Sequence, residues 1–213
     1  MYNLVGTTMK PAPPHPSADL IDVPTAIRGL IFDCDGTLVD SMPLHREAWA
    51  HAIRRFGGLY DREFINSKKG MKETEIVALY NRHFGTTLDP DTVVEAKHRH
   101  FLARIADVKT FPPVVAVVHR FHHVLPLAVV SGGVRDVITR ELAENGLEHL
   151  FDVVLTADDP FPPKPAPDLF LEAARRMGVP AADCQVFEDG DAGLEAAQRA
   201  GMLATDVRPF TGQ

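Results

Sequence analysis

At 213 residues, 45% hydrophobic and 24% charged, the chain has the proportions of a globular protein of one domain, or of one domain carrying an insertion. Its net charge of −7 and pI near 5.8 exclude a surface that wraps a phosphate polymer, so no nucleic-acid partner is expected. One lysine and one metal ion can still reverse the potential locally, which leaves room for a small anionic substrate.

Two cysteines, Cys34 and Cys184, cannot build a disulfide framework and read as small core residues in a reducing compartment. No apolar stretch approaches the roughly 20 residues of a membrane span. The first residues carry no basic segment followed by an apolar block, so a cytoplasmic protein with no membrane partner, and a monomer, is expected.

Residues 1–26 hold Pro11, Pro13, Pro14, Pro16 and Pro24 with little periodicity, and are expected to form an extended N-terminal tail. The short apolar run 28–33 suits a strand buried on both faces. From 43 to 109 the pattern is helical throughout, with amphipathic helices over 44–56, 73–84 and 90–106. Gly57, Gly58, Gly70 and Gly85 mark their joints. Strand-like runs then return at 125–131, 151–156, 184–189 and, more weakly, 203–207, alternating with helices over 134–144, 166–177 and 192–200. Such alternation implies right-handed crossovers and a parallel sheet with helices on both faces. The expected fold is therefore α/β, a Rossmann-like parallel-sheet core built from 27–42 and 110–213. A helical module, 43–109, is inserted after the first strand.

Open parallel sheets bind ligands beyond the carboxyl ends of their strands. Asp33, Ser131, Thr156, Glu188 and Asp189 all fall at such ends, and Lys164 follows one by a short loop. Asp33 and Asp35 alternate, so they share a face, and Gly36 permits a sharp turn after them. A working pair of acids divides its duties: one attacks while ionised, the other donates and retrieves a proton. Carboxylates brought to about 4 Å repel by roughly 4 kcal/mol per pair at an effective dielectric of about 20. Gathering Asp33, Asp35, Glu188 and Asp189 therefore calls for a hard divalent cation, and oxygen-only ligands suit Mg²⁺ over zinc. Ser131, Gly132 and Gly133 end a strand and open a helix, so they can cradle a phosphoryl group or simply cap that helix. Lys164 stands in a Lys-Pro-Ala-Pro-Asp turn and can aim at the sheet edge, with Asp168 capping or bracing the turn.

Asp33-Cys34-Asp35-Gly36-Thr37, Ser131, Lys164 and Glu188-Asp189 together resemble the four motifs of the haloacid dehalogenase superfamily of aspartate-nucleophile phosphotransferases. Residues 33–41, the Lys-Pro-Ala-Pro-Asp turn and Val186-Phe187-Glu188-Asp189 are similar to the β-phosphoglucomutase subfamily. The closing stretch 196–202 is similar to bacterial phosphatases of fructose 1-phosphate or 6-phosphogluconate. The resemblance implies an aspartyl-phosphate formed on Asp33 and an Asp35 that protonates the leaving oxygen and then activates water. It also implies a phosphoryl group held by Ser131, Gly132 and Lys164, and Mg²⁺ held by Asp33, the Asp35 backbone carbonyl and Asp189, with Glu188 either a further ligand or a support just behind the ligands. The inserted helices correspond to a type-1 cap.

In that cap His45 and Trp49 lie one helical turn apart and face the same way. His45 matches a subfamily histidine that helps the proton-handling aspartate respond to substrate. Lys69-Gly70-Met71 resembles the mutase specificity loop, yet Lys72-Glu73-Thr74 stands where the arginine that grips a second phosphate is expected. That departure favours a phosphatase of a small phosphorylated metabolite over a hexose-phosphate mutase. A phospho-accepting receiver module would place its acidic residues in another order, and a silent binding module would not keep every core residue. His98, His100, His119, His122 and His123 lack a zinc-type arrangement and read as structural or solvated.

Overall fold

The computed structural model describes residues 21–68 and 71–212. Five short strands form one parallel sheet in the order β3-β2-β1-β4-β5: β1 Gly29–Phe32, β2 Leu127–Val130, β3 Val153–Leu155, β4 Cys184–Glu188 and β5 Leu203–Asp206. Central β1 sets Ile31 opposite Ala128 on one side and Val186 on the other. From β1 the chain winds outward through β2 and β3, then crosses back to β4 on the other flank. That reversal places a crevice at the carboxyl ends of β1, β2 and β4.

Every residue of β1, β2 and β4 is buried, because alternate side chains enter two different apolar layers. Leu30, Phe32, Leu127, Val129 and Phe187 meet α5 (Pro112–Phe121) and α6 (Arg135–Glu144). Ile31, Ala128, Val130, Cys184 and Val186 meet α7 (Asp168–Met177) and α8 (Asp191–Arg199) on the opposite face. A last helical turn, α9 (Arg208–Thr211), follows β5. Within the stretch expected to be a tail, Ile21 is buried in the first of these layers, and the Asp22 carbonyl accepts a hydrogen bond from Gln185 Nε2 at 2.9 Å.

Between β1 and α5 run α1 (Met42–Arg55), α2 (Arg62–Asn66), α3 (Glu73–Phe84) and α4 (Pro90–Leu102). Their starts are local chemistry. Asp61 and Asp89 accept the Phe64 and Thr92 N–H groups at 2.8 and 2.9 Å, and Pro90 opens α4. Trp49, Ala52, Ile53, Ile65, Ile76, Val77, Tyr80, Val93 and Ala96 form an apolar cluster of their own among these helices. The same α1 sends Leu44 and Ala48 into the sheet's layer, joined there by Phe101 of α4. The two connecting segments pair where they cross: Phe111 N–H donates to Leu38 O at 2.9 Å and Asp40 N–H to Lys109 O at 2.7 Å.

Three expectations shift. The helix expected over 90–106 stops at Leu102 and is followed by a 3₁₀ turn, Ile105–Asp107. The strand expected over 151–156 contracts to Val153–Leu155, and α5 occupies a stretch to which the periodicity assigns nothing.

Candidate active site

Asp33 leaves β1 with its N–H donating to Phe187 O of β4 at 3.0 Å, so the chain stays stitched to the sheet past the strand's end. The Cys34 carbonyl then accepts from Thr37, Leu38 and Val39, which folds the following residues into a tight turn. Gly36 sits at φ +91°, and a Cβ there would come within 2.5 Å of Asp189 Oδ2. Glycine is thus required twice over, for the left-handed backbone and for the approach of Asp189. Thr37 Oγ1 donates to Asp189 Oδ1 at 3.0 Å, fixing that carboxylate over the turn.

Asp33, Glu188 and Asp189 each bring a carboxylate oxygen within 4.8 Å of the other two. Lys164 reaches this group across the sheet edge, from the loop between β3 and α7. Its Nζ donates to Asp33 Oδ1 at 2.6 Å, to Glu188 Oε2 at 2.7 Å and to Val130 O at 3.0 Å. Asp33 and Glu188 are 6% and 4% exposed, so these charges face one another with little screening. Burial and the Glu188 carboxylate push the Asp33 carboxyl well above its usual range, although Lys164 pulls the other way. Burial opposes the Lys164 charge, but Asp33 and Glu188 outweigh it and hold the ammonium above its ordinary value. Three carboxylates against one ammonium leave an excess of negative charge among oxygen donors alone, which fits a hard divalent cation.

Asp35 turns its carboxylate to a different set of partners. Oδ1 accepts from Ser41 Oγ at 2.5 Å and meets His45 Nε2 at 3.0 Å. Burial would raise this acid, yet His45 and Ser41 bring it down to about 2. His45 in turn stacks on Phe101, with ring centroids 4.2 Å apart and planes 13° from parallel. Of the acids expected together, Asp33, Glu188 and Asp189 therefore converge through their side chains. The atom of Asp35 that the family pattern offers to a cation is its backbone carbonyl.

Ser131 follows β2 and is 1% exposed; its Oγ accepts the Gly133 N–H at 3.0 Å. The hydroxyl thereby orders the turn into α6, beside the exposed residue Gly132. Gly190 N–H donates to Glu188 Oε1 at 3.0 Å, and Gly193 in the first turn of α8 lies so close that a Cβ would fall 2.2 Å from Glu188 Cδ. Asp168 opens α7 behind the Pro167 cap, without a side-chain capping bond.

Trp49 is buried in the apolar cluster of the inserted helices, its ring centroid 5.9 Å from Lys97 Nζ. Lys69 and Gly70 lie outside the described residues. His98 pairs with Glu73 at 2.5 Å and His100 with Glu47 at 3.2 Å, while the His122 and His123 rings touch with their planes tilted by 43°. Cys34 and Cys184 are fully buried free thiols whose pKa values burial pushes up, Cys184 to about 11. Sequence reasoning passes over Ser41, Lys97, Gly193 and Glu141. For Glu141 a signal existed: it shares the apolar stripe of Val137, Ile138 and Leu142 on α6.

Fold and site together define a class, a parallel-sheet enzyme whose acids and one lysine gather at the carboxyl ends of β1, β2 and β4. The family model "haloacid dehalogenase-like hydrolase" matches residues 27–201. Fructose-1-phosphate phosphatase YqaB of Escherichia coli K12 is 39% identical over 84% of this chain and 96% of its own length. The 6-phosphogluconate phosphatase of the same organism is 31% identical over 79% and 77%. The crystal structure of CbbY from Rhodobacter sphaeroides in complex with phosphate superposes with a TM-score of 0.73, at 26% identity over 84% of each chain. The chain belongs to the haloacid dehalogenase-like hydrolases.

Proposed function

We propose that this protein is a Mg²⁺-dependent phosphatase that hydrolyses a small sugar phosphate through an aspartyl-phosphate on Asp33. The observation that carries the reading is the pairing of two differently served acids. Asp33 lies among Lys164, Glu188 and Asp189, and Asp35 lies on Ser41 and His45. The relatives that act on fructose 1-phosphate and 6-phosphogluconate supply the substrate class.

In the reaction Asp33 attacks phosphorus, and the bond to the sugar oxygen breaks as Asp35 gives that oxygen a proton. Water then attacks the acyl-phosphate, Asp35 takes a proton from it, and Asp33 is released with free phosphate. The 3.0 Å contact with His45 Nε2 gives this proton a second position between the two halves. Lys164, Ser131 and the Gly132 amide hold the phosphoryl oxygens, and transfer needs chiefly such positioning and charge neutralisation. Asp33, the Asp35 carbonyl, Asp189 and Glu188 would hold Mg²⁺. Bound there, Mg²⁺ neutralises the charge that repels an anionic substrate. Residues 43–109 act as the cap that selects the sugar, over a core of 27–42 and 110–213.

The Asp33→Asn variant tests the nucleophile: it is expected to fold and to lose all measurable turnover of a general phosphomonoester with Mg²⁺ present. Retained turnover ends the assignment. The same assay separates hydrolysis from mutase chemistry, because a phosphatase releases one free phosphate per substrate consumed. Lys72-Glu73 at the expected arginine position favours that outcome, all the more because Glu73 is engaged within the cap by Lys97 and His98.

A further inference from the structure

Glu141 is a carboxylate in the wrong surroundings. It stands on α6 with 0% exposure; no N–H or O–H group donates to Oε1 or Oε2, and the group that meets it at hydrogen-bond range is another carboxylate, Asp35. Leaving a buried carboxylate without a donor costs several kcal/mol, roughly, and such orphans call for an explanation, an ion among them. Two of its neighbours are ligand types. Asp35 and His45 each offer an atom that lies, with one Glu141 oxygen, inside a mutual distance of 4.8 Å. His45 Nε2 and Asp35 Oδ1 are 3.0 Å apart, close to the roughly 3.3 Å separating two tetrahedral ligands on bonds of about 2.0 Å.

We propose that Asp35, His45 and Glu141 form a second cation site, distinct from the oxygen-only centre of Asp33, Glu188 and Asp189, that takes Zn²⁺ or a similar late transition ion. The donor sets differ in kind. An imidazole nitrogen with two carboxylates suits zinc, whereas three carboxylates suit magnesium. The three protein ligands leave a fourth position open toward the cleft, where Asp35 and His45 are 18% and 15% exposed. Lys97 adds positive charge nearby, but its Nζ is held by Glu73 Oε1 at 2.6 Å. An ion bound here takes the Asp35 carboxylate out of proton handling. The site is therefore inhibitory, a consequence that rests on the phosphatase reading above.

The test uses the full chain stripped of metal and then saturated with Mg²⁺. Co²⁺, a spectroscopic stand-in for Zn²⁺, is titrated into the wild type and into Glu141→Leu and His45→Gln. One equivalent is expected to give the wild type the visible d–d absorption of low-coordinate, nitrogen-ligated cobalt. Both variants are expected to bind it more weakly by at least about 10-fold, the loss that even a partner outside the ligand set produces. Zn²⁺ at fixed Mg²⁺ is expected to inhibit 4-nitrophenyl phosphate turnover in the wild type. Relative to its own zinc-free rate, Glu141→Leu should resist that inhibition. Leu fits an apolar stripe, so metal-free melting of this variant at or above the wild-type temperature shows the fold intact. Identical cobalt spectra and affinities in all three proteins overturn the site, and mean that Glu141 and Asp35 share a proton instead. Displacement of Mg²⁺ from the main centre would be equal in wild type and Glu141→Leu, and equal zinc inhibition likewise overturns it. A cobalt band without phosphatase activity overturns the proposed reaction and leaves the site standing.

Discussion

At the scale of single residues, the acids near the sheet edge are held by contacts that tolerate almost no added volume. Glu188 accepts from Lys164 on one oxygen and from the Gly190 N–H on the other, while the first turn of α8 presses on it through Gly193. A methyl group at 193 would sit 2.2 Å from Glu188 Cδ, so Gly193→Ala must drive that carboxylate out of place. Overpacking of this kind costs about 1–3 kcal/mol. The variant is expected to melt lower and to need roughly 10-fold more Mg²⁺ for half-maximal turnover, the lower bound for disturbing a supported ligand. A metal titration of turnover beside a thermal melt reads both. An unchanged metal requirement would remove Glu188 from the cation's surroundings. The meeting of Asp33, Lys164, Glu188 and Asp189 is legible in the amino-acid sequence, because strand ends in a parallel sheet share one edge whatever the sequence separation. The need for glycine at 193 is not. Its demand comes from a side chain five residues earlier that folds back on the helix, and no periodicity encodes that approach.

At the scale of elements, α3 and α4 are joined by a charged clasp as well as by apolar packing. Glu73 in the first turn of α3 receives Lys97 Nζ at 2.6 Å and meets His98 Nε2 at 2.5 Å, both from α4. Burial opposes its charge, yet His98 and Lys97 win and bring its pKa from 4.5 down to about 2. A lowered carboxylate stabilises the fold above its unfolded pKa, and that contribution fades as pH falls from about 4.5 toward 2. The shift sets an upper limit of about 3 kcal/mol. Glu73→Gln should therefore melt below the wild type at pH 6, with the gap closing as the pH is taken down to about 3. A gap independent of pH would show that the clasp contributes nothing through its charge. Elements with a clear period, such as α3 and α6, could be read from the chain to within a residue or two. Over α5 the local signals conflict. Val114, Val115, Val117 and Val118 are β-branched, while Pro112 and Pro113 suit a helix's first turn, and burial against the sheet decides for the helix.

At the scale of the whole molecule, the sheet's layer and the cluster of the inserted helices are two apolar bodies, and α1 belongs to both. Leu44 and Ala48 pack in the layer beneath the sheet, while Trp49, Ala52 and Ile53 face the cap cluster. His45 stands between those two sets of contacts, one turn before Trp49, and carries the link to Asp35. Through His45, carried by α1 and stacked on Phe101 of α4, the position of the inserted helices reaches Asp35, the acid proposed to handle the proton. The chain order announced the inserted helices, but not this sharing, since one amphipathic stripe looks the same whether it serves one partner or two. Trp49→Ala separates the roles. Removing a buried tryptophan costs about 3–5 kcal/mol, and the loss falls on the cap cluster rather than on Asp33, Lys164 or Glu188. Turnover of a sugar phosphate, which depends on a formed cap, is expected to lose about 10-fold or more in kcat/KM through misplacement alone. A small aryl phosphate that needs only the core centre should lose much less. Parallel kinetics on the two substrates read the difference, with the melting temperature confirming the packing loss. Equal losses on both would mean that α1 transmits the damage straight to Asp35, and that the cap helices serve the chemistry itself rather than the choice of substrate.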